Sequence, residues 1–190
     1  LNVWLGGRAT YAEAEIGRAE DPVTGNPFAF TDDWTSTVGS ARFAYDLTED
    51  KTLSAFGGVS EGFRAPNLSD LSRLDLARSG ELETPSPGLN PEEFTSFEIG
   101  LRAERERTRA SLSYYYTDIE GLIVGTRTGR IVDKAFEVTK KNGGDGYVHG
   151  FEFEAEQGLS DDLTLFGWLS WQDGDLVIAS FGAAQGFWND

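Results

Sequence analysis

The chain contains no cysteine and no methionine, only one histidine, and no long apolar run. Without cysteine there is no disulfide and no thiolate metal centre, and redox usage says nothing of compartment. A lone histidine, His149, supplies no ligand constellation for a transition metal. No run of apolar residues approaches the ~18 that a membrane helix requires, which excludes a helical membrane protein. A negative mean hydropathy does not exclude a membrane barrel, whose strands are apolar only at alternate positions. No Ser/His/Asp set has supporting context, no glycine loop of the phosphate-binding kind is present, and the 32 acidic residues single out no pair for acid–base work. No catalytic role and no cofactor are expected.

What is abundant is negative charge. The 190 residues carry a formal charge of −16. This argues against nucleic acid as a partner and against binding to an acidic lipid surface, both of which call for a basic face.

The chain is organised around Thr52–Leu71, TLSAFGGVSEGFRAPNLSDL, which opens as an alternating strand and stops at Pro66. Proline has no N–H to donate and pushes Ala65 toward extended geometry, so pairing ends there. A tight turn, Thr48–Lys51, precedes the strand; a long polar connection, Ala65–Glu92, follows it. Within that connection Leu68, Leu71, Leu74 and Leu76 fit a short helix or a loop cluster.

Period-two alternation recurs in Leu1–Ile16, Trp34–Leu47, Phe94–Ala103, Thr108–Ile119, Tyr147–Gln157 and Leu163–Trp171. With the organising strand this makes about seven. Phe97, Ile99, Leu101 and Ala103 share one face of the cleanest strand; Ser96, Glu98, Gly100 and Arg102 share the other. In the organising strand Phe56 breaks the polar face and Glu61 the apolar one. The connections are expected to alternate, with long ones at Asp21–Asp33, Ala65–Glu92 and Glu120–Gly146 and short ones between. Ile123-Val124 and Phe136–Thr139 fit extensions of the flanking strands.

Loops sorted by length to the two ends of a sheet are the habit of outer-membrane barrels, and strands of about ten residues match a tilted bilayer crossing. Tyr11, Trp34, Tyr45, Tyr114, Tyr116, Trp168 and Trp171 stand near strand ends, where an aromatic girdle belongs. The polar faces carry Arg, Glu and Ser, which a watery lumen tolerates and a dry core does not. The expected fold is all-β: an antiparallel up-and-down transmembrane β-barrel, present as an open arc of about seven strands.

The segment Val59–Asn67, VSEGFRAPN, then Asn90-Pro91-Glu92, the strand SFEIGLR at Ser96–Arg102 and the phrase NGGDGYVHGFEFE at Asn142–Glu154 resemble, in order and spacing, the C-terminal half of the barrel of TonB-dependent outer-membrane receptors. The resemblance covers Trp34 to Gly174. It implies location in the outer membrane of a Gram-negative-type cell, contact with outer-membrane lipid, and energised uptake of a scarce small-molecule nutrient such as an iron chelate, cobalamin or a glycan. It also implies coupling to TonB through an N-terminal plug domain. Residues 1–190 contain neither a plug nor a closing strand, so the chain is expected to be a fragment of such a barrel. The other readings are a passive porin and a soluble all-β module that binds a ligand or glycan.

Candidate ligand contacts are Arg64, where the strand enters its loop, and Arg73 and Arg78 within that loop. Guanidinium groups match the geometry of anionic chelates, and the competing reading is local pairing with Asp70, Asp75 or Glu81. Glu152, Glu154 and Glu156 line one strand face; their ~6.6–7 Å spacing favours a lumen wall over a calcium site. Gly143–Gly146 reads as a flexible loop end.

Overall fold

The computed structural model describes residues 1–20, 25–72, 75–76 and 80–178. Seven long strands form one sheet: β1 (Asn2–Glu20), β2 (Pro27–Asp46), β3 (Leu53–Arg64), β6 (Glu92–Arg105), β7 (Thr108–Val132), β8 (Ala135–Gly158) and β9 (Thr164–Ile178). Each pairs antiparallel with the next. The sheet is open. Between β3 and β6 the chain forms a helical turn, α1 (Leu68–Ser72), and two short strands, β4 (Asp75–Leu76) and β5 (Glu81–Glu83). β5 runs parallel to β8, opposite Phe136–Val138.

The register lines up the alternation of all seven strands. One row across the sheet is Val3, Phe43, Gly57, Ile99, Tyr114, Phe151 and Trp171; the next toward the short turns is Tyr45, Ala55, Leu101, Leu112, Phe153 and Leu169. Val3, Phe43, Ile99, Leu101, Leu112, Phe151 and Phe153 are all exposed. An apolar face continuous over seven strands and left uncovered is the outside of a membrane wall, where lipid replaces a second layer.

The opposite face is polar. Arg42, Gly58, Glu98 and Tyr115 make one row, and Ser40, Ser60, Ser96 and Thr117 the next. Phe56, out of place in the alternation, lies on this inner face over Gly100, with the Arg102 guanidinium 5.2 Å from its ring centre. A Cβ at position 100 would meet that ring, so the glycine is what admits it. Glu61, the exception on the outer face, accepts a hydrogen bond from the Gly39 N–H at 2.8 Å, just past the last β2–β3 pair at Ser40 and Ser60.

Three expectations are corrected. Glu120–Gly146 is not a long connection: β7 and β8 run on through it and meet at a turn of two residues, Asp133 and Lys134, both at positive φ. That is the geometry of a tight hairpin turn, built here without the glycine or asparagine that signals one. Gly143–Gly146 accordingly lies within β8. Pro27–Asp33 belongs to β2 rather than to a loop. Both hairpins project past the apolar band, where neither face meets lipid and the alternation that marks a strand disappears.

The girdle is corrected too. Tyr11, Tyr45, Tyr114, Tyr116 and Trp171 face outward by register, joined by Tyr147, which stacks on Tyr116 with ring centres 5.5 Å apart. Trp168 faces inward, stacked on Phe166, and Trp34 is buried with its Nε1–H donated to the Leu89 carbonyl at 2.8 Å. His149 faces outward, edge-on to Trp171 and 3.2 Å from the Tyr114 hydroxyl.

Candidate functional site

Above the apolar band, the β3–β6 connection folds against the inner wall. Its core is small: Ala14, Trp34, Leu71 and Leu89 are buried together, with Phe30 and Ile123 packed against them. Leu71 comes from α1. Asn67 caps that helical turn reciprocally with Asp70: the Asp70 N–H donates to Asn67 Oδ1 at 3.0 Å, and the Asn67 N–H to Asp70 Oδ2 at 3.1 Å. Asn67-Leu68-Ser69-Asp70 is therefore a local helix-start signal.

Arg64 is the last residue of β3 and pairs in register with Glu92, the first of β6. Its Nε and Nη2 donate to the two Glu92 oxygens at 2.6 and 2.7 Å, and its Nη1 donates to Asp70 at 2.8 Å. The second Asp70 oxygen accepts from Lys140 Nζ of β8 at 3.0 Å. Lys140 also donates to the Ser69 carbonyl at 3.3 Å. Glu92 further accepts from the Ile123 N–H at 2.9 Å, where β7 bulges. Glu92, Arg64, Asp70 and Lys140 thus alternate in charge and join β6, β3, α1 and β8.

This row lies outside the membrane-spanning part of the sheet, for its outward neighbours are Glu93 and Glu120. Hydrogen bonds from Arg64 outweigh burial and hold the Glu92 carboxyl below the usual carboxylate range. Burial opposes ionisation of Asp70, yet the bonds from Arg64, Asn67 and Lys140 overcome it and lower its pKa as well. The carboxylates are the hidden members, 5% and 10% exposed at Glu92 and Asp70. The cations are the more accessible members, Arg64 at 41% and Lys140 at 21%.

Further ties hold the connection across the barrel mouth. Asn142 on β8 accepts from the Asn90 N–H and donates to the Asn90 carbonyl, both at 2.8 Å, and reaches the Gly121 carbonyl at 2.7 Å. Gly121 has positive φ and forms the bulge of β7. Ser86 takes the Lys140 N–H at 2.7 Å, and Asp32 of β2 takes the Gly88 N–H at 3.0 Å.

Of the three arginines singled out as ligand contacts, Arg64 is placed in this network. Its pairing with Asp70 is local; its stronger pairing with Glu92 crosses 28 residues of sequence and was not foreseen. Arg73 and Arg78 lie outside the described residues. Glu81 pairs with Arg127, at 2.8 Å. Lys140 had no sequence signal, because it lies where alternation is absent; Asn142 opens the phrase Asn142–Glu154 that carries the family resemblance, but nothing in that phrase marked it as a contact of Asn90. Glu152, Glu154 and Glu156 face inward opposite Ser113, Ser111 and Arg109. Near the short turns, a hollow of about 450 Å³ lies among Arg102, Arg109, Glu154, Glu156, Phe166 and Trp168.

The family model for TonB-dependent receptor-like β-barrels matches residues 1–188. The chain belongs to the TonB-dependent receptor β-barrel family. Among solved structures, this receptor barrel superposes on the copper transporter OprC at 19% identity with a TM-score of 0.69, covering 91% of this chain and 27% of that one. The siderophore receptor PirA from Pseudomonas aeruginosa matches at 19% identity and a TM-score of 0.66, over 90% of this chain and 34% of that one. The FrpB iron transporter from Neisseria meningitidis matches at 19% identity and 0.66, over 94% and 24%. At these identities the likeness is one of fold. The chain spans about a quarter to a third of the length of these structures. No curated protein sequence matches it.

Proposed function

We propose that this chain forms part of the outer-membrane wall of an energised importer for a scarce nutrient, an iron chelate or cobalamin. Its residues 1–190 supply an arc of strands, while a plug coupled to TonB and the barrel-closing strand are supplied elsewhere. The observation that carries the reading is the apolar outer face, continuous over seven strands, opposed to a charged and hydroxyl-bearing inner face. Such a wall separates lipid from a water-filled passage and performs no covalent chemistry. The similar structures are those of a copper transporter, a siderophore receptor and an iron transporter, which agrees with that role.

The ligand meets the inner mouth, where Arg64 offers its guanidinium group to an anionic chelate, and Arg73 and Arg78, which belong to the same connection in sequence, are proposed as further contacts. The test is uptake. A strain lacking the gene is supplied with radiolabelled ferric citrate, a ferric siderophore or cobalamin, with TonB present and absent. Import that requires both the gene and TonB supports the reading. Import that requires the gene but proceeds without TonB would make the protein a passive porin. A native protein that is soluble without detergent would make it a soluble binding module.

A further inference from the structure

We infer that Asp70 and Lys140 form a clasp between α1 and β8 that an oxyanion arriving in the lumen opens. The inference rests on the proposed uptake of an anionic ligand and adds to it Lys140 and a moving part.

The distribution of burial points to the trigger. In a chain of net charge −16, this network buries its two carboxylates more deeply than its two cations. Arg64 spends three of its five N–H donors on Glu92 and Asp70, and Lys140 spends two of its three on Asp70 and Ser69. Among the described residues, both cations therefore keep donors unspent beside the carboxylate they share. An incoming oxyanion that takes Lys140 from Asp70 exchanges one carboxylate-like partner for another, so the exchange is close to balanced. A ligand with several acceptors that reaches both cations tips it, because it binds the open arrangement better than the closed one.

The mechanical consequence is confined to one side of α1. Asp70 keeps its bonds to Arg64 and Asn67, and Leu71 keeps its place in the apolar cluster. What is lost is the Lys140 side-chain tie to Asp70 and Ser69; the Leu71 carbonyl still accepts from the Ser86 N–H at 2.8 Å, and Ser86 stays bonded to β8, so α1 pivots about Leu71 and its first residues, Leu68 and Ser69, swing away from the wall. Acid is a poor substitute for the anion, since the bonds around Asp70 keep it ionised below the usual carboxylate range.

The experiment uses the complete receptor chain in detergent. Leu68, an exposed residue of α1, is replaced by cysteine and labelled with a nitroxide; this segment has no cysteine of its own to compete. Citrate is the probe, with sodium chloride at equal ionic strength as the control. Citrate is expected to raise the mobile fraction of the spectrum roughly twofold or more, and chloride to leave it unchanged. Lys140→Gln should be mobile without citrate and insensitive to it, and Lys140→Arg should restore the immobile spectrum. A label that ignores citrate in the parent protein overturns the clasp, as does a Lys140→Gln protein as immobile as the parent. Citrate-dependent motion without nutrient uptake leaves the clasp standing and removes the transport reading; uptake with an unmoving label does the reverse.

Discussion

Arg64 and Glu92 stand directly opposite each other on neighbouring strands and are joined by two parallel hydrogen bonds, at 2.6 and 2.7 Å. The long connection leaves the sheet at one of them and re-enters it at the other. The fork of the guanidinium fits both carboxylate oxygens, so the pair fixes where β3 ends and β6 begins as well as how strongly they attract.

Removing one partner should cost more than removing both. Arg64→Ala leaves the buried Glu92 carboxylate and Asp70 without their main donor, and is expected to destabilise the folded protein by about 2 kcal/mol, a value discounted from that of a fully buried pair because Arg64 is part-exposed. Denaturant titration in detergent reads this, and a cycle with Glu92→Gln should show strong coupling. Additive effects would contradict the bidentate pair.

The two faces of β6 should respond oppositely to the same charge. Leu101→Arg places a cation in the lipid-facing row and should cost ~2–4 kcal/mol of folding free energy in vesicles. Glu98→Arg, on the lumen face, should change it by about 0.5 kcal/mol or less. Equal costs would mean that the outer face does not meet lipid.

Gly100 is expected to resist even alanine. A Cβ there meets the Phe56 ring and stands 2.8 Å from the Leu112 carbonyl oxygen, which belongs to the neighbouring strand and cannot turn aside. Gly100→Ala should destabilise by about 1–3 kcal/mol, measured by denaturant titration. Gly7→Ala, with open space around its Cβ position, is the control and should show little clash cost.

The pH dependence has a definite sign. Asp70 and Glu92 both have carboxyl pKa values below the ordinary range in the folded protein. Their contribution is then complete above the unfolded carboxyl pKa of about 4 and is lost only as pH falls through the lower folded values. Proteolysis or hydrogen exchange of α1 should be flat from neutral pH to about 5 and rise in stronger acid. Asp70→Asn should be labile throughout and show a weaker pH response.

Asn142 should control one amide at long range. Its carboxamide pairs with both backbone groups of Asn90. Asn142→Ala is expected to speed exchange of the Asn90 N–H roughly ten-fold, the equivalent of about one hydrogen bond. Unchanged exchange at Asn90 would show that the contact carries no stability.

The alternation of Phe97, Ile99, Leu101 and Ala103 against Ser96, Glu98, Gly100 and Arg102 determined the strand, its two faces and the short turn after it, because a wall between lipid and water imposes period two on every residue it contains. The same signal is absent above the band, where β7 and β8 are wet on both faces; there the sequence read as a loop what pairing makes a hairpin closed by Asp133 and Lys134. Asp70 stood among the local partners expected for Arg64 and does pair with it, whereas Glu92 gave no signal, since it becomes a neighbour of Arg64 only through the register of β3 on β6. Lys140 meets Asp70 only because the connection is carried across to β8. Local pattern settles what a strand faces; contacts between residues distant in sequence exist only once the sheet has brought the strands together.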